Sequence, residues 1–276
     1  MQDVSIKVRK TTIEQQRITV GGVPIFYQVA GQGLPLVLVH GLSGSGRWWR
    51  HNILPLARQF QVYVIDLIGF GRSRGRYPFV LTEAAGYLVA WMDAVGIEQA
   101  GIIGHSMGGF ITAELAADCP QRISRMVLIA PALMPRELSS LAHAAGLFRV
   151  FRHLPPGFLP ILFTDALRAG PVTLCKAARE LLATDLWPRL QDLATPTLLV
   201  WGEHDTLVPL SVAGQLRHCL RDTRLVVIPS AGHNPMWDRP RLFNQTVLPF
   251  LSNVMDMPAA SAGPTYPVLT PIPGEP

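Results

Sequence analysis

Four runs of consecutive apolar residues, Leu36 to Val39, Val62 to Ile65, Gly101 to Ile103 and Met126 to Ile129, recur along the first half of the chain. Such runs lack the alternation of a half-exposed strand and predict strands covered on both faces. Between them, residues 48–59, 82–95 and 107–118 have the length and apolar spacing of helices that cover a sheet. Upstream, Arg17 to Val20 and Ile25 to Val29 are short β-prone runs separated by Gly21, Gly22 and Pro24, the signature of a hairpin. Strand and helix thus alternate after an antiparallel opening. The pattern predicts an α/β fold: a mostly parallel central sheet with helices on both faces and functional loops at the carboxyl ends of its strands.

The rhythm stops after Ala130 and Pro131 and resumes at Thr197 to Trp201, followed by a strand at Leu225 to Ile228 and a helix at Leu242 to Val254. Residues 133–192 fill the gap, and Pro155, Pro156 and Pro160 there interrupt apolar helical pieces, which predicts an inserted helical cap. The core is accordingly expected to comprise residues 1–132 and 193–254. Residues 255–276, rich in Pro, Ala, Ser and Gly, read as a disordered tail.

Composition narrows the classes. Hydrophobic residues make up 49% of the 276 and charged ones 16%, enough apolar material for a large core in a single domain with an insertion. The formal charge is +5, but the basic residues are scattered and no basic tract carries interleaved aromatics, so no nucleic-acid partner is expected. Cys119, Cys175 and Cys219 are odd in number and far apart, which suggests neither a disulfide framework nor a metal site and fits a reducing compartment. The first 16 residues lack the apolar core of a signal peptide, and no apolar stretch has the length of a membrane span. A cytoplasmic protein without an integral membrane segment, metal or cofactor is the expectation.

The chemistry concentrates at a few loops. Gly104-His105-Ser106-Met107-Gly108 places a serine between an apolar strand and a helix, with small residues two positions to either side. This is the nucleophile-elbow pattern: a strained turn exposes the hydroxyl, and strand and helix must approach closely around it. A serine hydroxyl needs a base at neutral pH, and histidine is best matched to that task. His233, in a loop between the last strand and the last helix, is the candidate base. Asp205, in the loop after Leu198 to Trp201, is the candidate acceptor that fixes the imidazole tautomer, with Glu203 as its local rival. The order Ser, Asp, His follows. Backbone N–H groups of Met107, at the helix start, and Leu42 are the candidate oxyanion donors. His40 and Gly41 support that second loop, as Gly104 and Gly108 support the elbow.

On these residues the chain resembles the α/β-hydrolase superfamily from about residue 17 to residue 254. Asp66-Leu67-Ile68-Gly69-Phe70-Gly71-Arg72-Ser73 looks like that superfamily's D-x-x-G-x-G-x-S scaffold loop. Relatives that open epoxides or remove halogens carry aspartate at the elbow, so Ser106 implies acyl transfer instead. The resemblance favours a small-cap serine hydrolase that cleaves a carboxylic ester of a small or medium, largely apolar molecule through an acyl-enzyme. Carbon–carbon hydrolysis of vinylogous diketones is the main alternative; relatives of that kind often carry asparagine where this chain has His105. Lactones and thioesters are further substrates to weigh, and a ligand receptor on the same fold is the non-enzymatic alternative. Trp48, Phe148, Phe151, Phe163 and Trp237 are the candidates to line an apolar substrate pocket under the cap.

Overall fold

A computed structural model describes residues 11–75, 77–133, 154–191 and 193–252. Its eight strands are β1 (Glu14–Val20), β2 (Val23–Ala30), β3 (Leu34–Val39), β4 (Phe60–Ile65), β5 (Ala100–His105), β6 (Ile123–Ile129), β7 (Thr197–Gly202) and β8 (Thr223–Ile228). They form one sheet in the order β1-β2-β4-β3-β5-β6-β7-β8. β1 and β2 pair antiparallel, β2 joins β4 antiparallel, and every later pairing is parallel. All eight apolar or β-prone runs lie in these strands.

The helices of ten residues or more, among the described residues, are α1 (Leu81–Ala94), α2 (Met107–Asp118), α3 (Leu159–Ala183), α4 (Leu210–Cys219) and α5 (Pro240–Leu251). The pleat sends successive side chains to opposite faces, so β3 feeds two cores. Val37 and Val39 join Trp91 of α1, Phe110 of α2 and Leu216 of α4 in one cluster. Leu36 and Leu38 join Trp48, Trp49 and the α5 residues Phe243 and Phe250 in the other. All four strand residues are fully buried, and each contributes about 1.5–3 kcal/mol relative to exposure. Continuous apolar runs were required because both faces are covered.

One local expectation needs correction. Residues 48–59 are not one helix: Gly46–Trp49 is a 3₁₀ turn and Ile53–Leu56 a single helical turn. Pro55 lacks an N–H and its ring crowds the carbonyl four residues earlier, which disfavours a continuous helix through it.

Between β6 and β7, the described residues 154–191 are helical over Leu159–Ala183 and Trp187–Leu190. α3 breaks at Gly170 (φ 77°, ψ 155°) before Pro171, a backbone state open to glycine and closed to helix. Polar bonds tie α3 to the rest. The Glu180 carboxylate accepts the Leu81 N–H at 2.7 Å, capping α1, whose own preceding residue Val80 offers no side-chain acceptor. Asp165 is buried and accepts the Ser45 hydroxyl at 2.7 Å and an Arg47 N–H at 3.0 Å. No helix of the described residues is long and apolar enough to cross a membrane.

Candidate active site

β5 ends at His105, α2 starts at Met107, and Ser106 alone makes the turn. Its φ of 52° and ψ of −114° lie in the left-handed half of backbone space, which costs a residue with a Cβ about 1–3 kcal/mol. Hydrogen bonds hold it there. The Ser106 N–H donates to Ile129 at 2.9 Å, and its carbonyl accepts from Phe110 and Ala132, both at 3.0 Å. The flanking glycines have a steric reason: a Cβ at Gly104 would overlap the Gly108 carbonyl and the Thr112 hydroxyl, and one at Gly108 would overlap the carbonyls of Val39 and His40.

The β7 and β8 loops meet the same edge. Gly202 lies so close to the carbonyls of Ala231 and Gly232 that any Cβ would collide, and the His204 N–H donates to Ala231 at 2.8 Å. Asp205, just beyond, is buried: Oδ1 accepts the N–H groups of Leu207 at 2.8 Å and Val208 at 3.0 Å. Oδ2 faces His233 Nδ1 at 2.8 Å, so Nδ1 carries the proton and Nε2 is left as the basic lone pair. Glu203, the rival, instead accepts the Ser230 N–H at 2.8 Å and fastens the two loops.

His105 links these parts. Its ring is fully buried, lies 4.8 Å from the His233 ring, and donates Nε2–H to the His233 carbonyl at 2.9 Å. Burial, and after it the neighbouring His233, holds His105 well below the usual imidazole range, so it stays neutral and acts as a strut. A further carboxylate, Asp238, accepts the Gly232 N–H at 2.8 Å, and burial pushes it up to about 6.

On the other side of Ser106, His40 is fully buried and burial lowers it to about 4. Its Nδ1–H donates to the Gly41 carbonyl at 2.8 Å while Nε2 accepts the Leu67 N–H at 3.0 Å. Gly44 donates to the same Gly41 carbonyl at 3.0 Å. A trans peptide carries its C=O and N–H on opposite edges, so pinning this carbonyl turns the Leu42 N–H the other way. Gly41 also packs on Ser106: a Cβ there would sit 3.1 Å from the Ser106 Cβ. The Asp66 loop is scaffold, its carboxylate accepting the N–H groups of Gly46 at 2.6 Å and Arg72 at 2.7 Å.

The pocket candidates divide. Trp48 and Trp237 are buried on two sides of Phe158, with ring centroids at 5.1 and 4.9 Å, and Trp48 also meets His105 at 5.7 Å. Phe163 is 64% exposed, which corrects its assignment to a pocket: it lies about 200° around α3 from buried Ile161. Phe148 and Phe151 lie outside the described residues. Asp165, Ser45, Arg47 and Glu180 were missed, because their contacts join residues about a hundred positions apart and leave no local pattern. Among the described residues, no group of three or more His, Cys, Asp or Glu is arranged to hold a metal ion.

Sheet order and a strained serine between strand and helix define an enzyme class, the α/β hydrolases. The chain belongs to the Alpha/beta hydrolase family, whose pattern matches residues 36–246, and it is a hydrolase. It is 29% identical to a pimeloyl-[acyl-carrier protein] methyl ester esterase of Pectobacterium carotovorum subsp. carotovorum, over 82% of this chain and 98% of the relative. It is 30% identical to a 2-hydroxy-6-oxo-6-phenylhexa-2,4-dienoate hydrolase of Burkholderia cepacia, over 81% of this chain and 90% of the relative. Among solved structures, the N-acyl homoserine lactone degrading enzyme Est816 superposes with a TM-score of 0.72 and 27% identity, covering 84% of this chain and 98% of that one.

Proposed function

We propose that this hydrolase is a serine carboxylic-ester hydrolase in which Ser106 is the nucleophile, His233 the general base and Asp205 the residue that orients it. The observation that carries the reading is the buried Asp205–His233 bond of 2.8 Å at the sheet edge that holds the strained Ser106. In this mechanism His233 Nε2 takes the Ser106 proton as Oγ attacks the ester carbonyl carbon. The negative charge that develops on the carbonyl oxygen is met by the N–H groups of Met107, which as the first residue of α2 has no intrahelical acceptor, and of Leu42. Collapse breaks the bond to the alcohol oxygen, which receives the proton from His233. Water then repeats the sequence on the acyl-enzyme and releases the acid.

Residues 133–192 act in this reading as a cap over the edge, with α3 held by Asp165 and Glu180. The relative named as a methyl ester esterase supports an ester substrate. Carbon–carbon hydrolysis is the second reading, favoured by the relative from Burkholderia cepacia. A panel of p-nitrophenyl esters, a lactone and a vinylogous diketone tests both. Ester turnover that falls about 1,000-fold or more in Ser106→Ala is expected. Preferred cleavage of the diketone would replace the ester reading, and labelling by a fluorophosphonate without multiple turnover would point to a receptor.

A further inference from the structure

Away from Ser106, a cleft of about 570 Å³ between the sheet and α3 is lined by Arg17, Arg47, Arg72, Arg74 and Arg168, with Asp66 at its wall. Its charge is unbalanced. Arg47 and Arg168 share one carboxylate, Asp165, at 3.0 and 3.8 Å. Asp66 directs its oxygens to backbone N–H groups and, with Arg72 and Arg168 near it, is the second carboxylate set against the five arginines. Arg17 and Arg72 are held by uncharged partners: Arg72 donates to the Gln15 side-chain oxygen and lies 4.7 Å over the Phe26 ring, while Arg17 donates to the Arg72 carbonyl at 3.4 Å. These contacts fix where the cations sit, and the two carboxylates Asp66 and Asp165 do not balance five guanidinium groups.

Cations gathered around a concave surface focus the field and concentrate anions there. Guanidinium forks match phosphate oxygens in pairs, and the volume falls within the range of about 300–1,000 Å³ typical of small-molecule sites. We propose that this cleft binds a small ligand carrying two phosphate groups, seated between Arg17, Arg72 and Arg74 on the sheet side and Arg168 on α3. Two groups suit it because the cations come both from the sheet side and from α3. Bound ligand bridges α3 to the sheet beside Ser45 and Arg47, the segment that follows the Leu42 loop. The site is independent of the ester reading.

Calorimetric titration of the full chain with sodium pyrophosphate, at ionic strength held constant with sodium chloride, tests it. Saturable binding is expected, weaker for inorganic phosphate. Arg17→Gln and Arg74→Gln, both at exposed positions, should each weaken pyrophosphate about tenfold, and Arg217→Gln on exposed α4 should not. An unchanged thermal melting midpoint without pyrophosphate shows that the variants are folded. Heats that chloride reproduces, or equal pyrophosphate affinity in wild type and the Arg17→Gln/Arg74→Gln double variant, would overturn the assignment.

Discussion

Asp205 and Asp165 are both buried carboxylates with both oxygens engaged, yet they are built from opposite materials. Asp205 is held by two neutral N–H groups of its own loop and spends its other oxygen on the His233 imidazole. Asp165 is held by Arg47 and Ser45, with Arg168 nearby, across 120 residues of chain. Neutral backbone donors leave a carboxylate free to act, in the proposed mechanism, on the imidazole that it orients. Guanidinium partners cancel the charge and leave a tether. In the proposed mechanism the same side chain is thus an electrostatic device in one place, and in the other it is a clasp.

Asp205→Asn should separate the two most sharply. The asparagine oxygen stays on the N–H groups of Leu207 and Val208, which turns its NH₂ toward His233 Nδ1. Nδ1 must then accept, the proton moves to Nε2, and the lone pair that Ser106 needs is gone. Ester kcat is expected to drop about 10³–10⁴-fold with little change in the urea midpoint. A loss below tenfold would remove Asp205 from the mechanism.

Asp165→Ala should invert that profile. It strands Arg47 and the Ser45 hydroxyl, but Arg47 is 41% exposed and can rehydrate, so the cost stays below that of a fully buried pair. A stability loss of about 2 kcal/mol by urea unfolding is expected, with kcat changed far less than in Asp205→Asn. Equal collapse of kcat in both variants would break the comparison.

The same contrast explains what could be read from the chain. Ser106, its glycines, His233 and Asp205 sit at strand ends within short, position-specific patterns, because elbow sterics and loop placement are local demands. The strands were legible since burial on both faces requires apolar runs. Asp165 lies in an apolar helical stretch where nothing nearby marks it, and its meaning comes from Ser45 and Arg47 arriving from β3's loop. Phe158 and Phe163 look alike in sequence, but only the packing of α3 buries the first and exposes the second. The helix expected at 48–59 failed on Pro55, a residue that the apolar spacing outweighed in the reading.

Asp238 stands between the two types and offers the finest test. It accepts the Gly232 N–H next to His233, as Asp205 accepts its own loop, but Oδ1 has no hydrogen-bond partner among the described residues. Burial raises it to about 6 from an ordinary 3.8. A carboxyl raised in the folded state contributes stability below pH 3.8 and loses it as pH climbs through about 6, where the buried group ionises. Asp238→Asn keeps an oxygen for Gly232 and cannot ionise, so its melting temperature relative to wild type should rise between pH 4 and pH 7. Once ionised, above about pH 6, Asp238 in wild type also places a negative charge beside His233. The variant lacks it, and the acid limb of its kcat/KM profile should therefore shift to lower pH by a fraction of a unit. A limb that stays in place would mean that only Asp205 acts electrostatically on His233 and that Asp238, like Asp165, is a clasp.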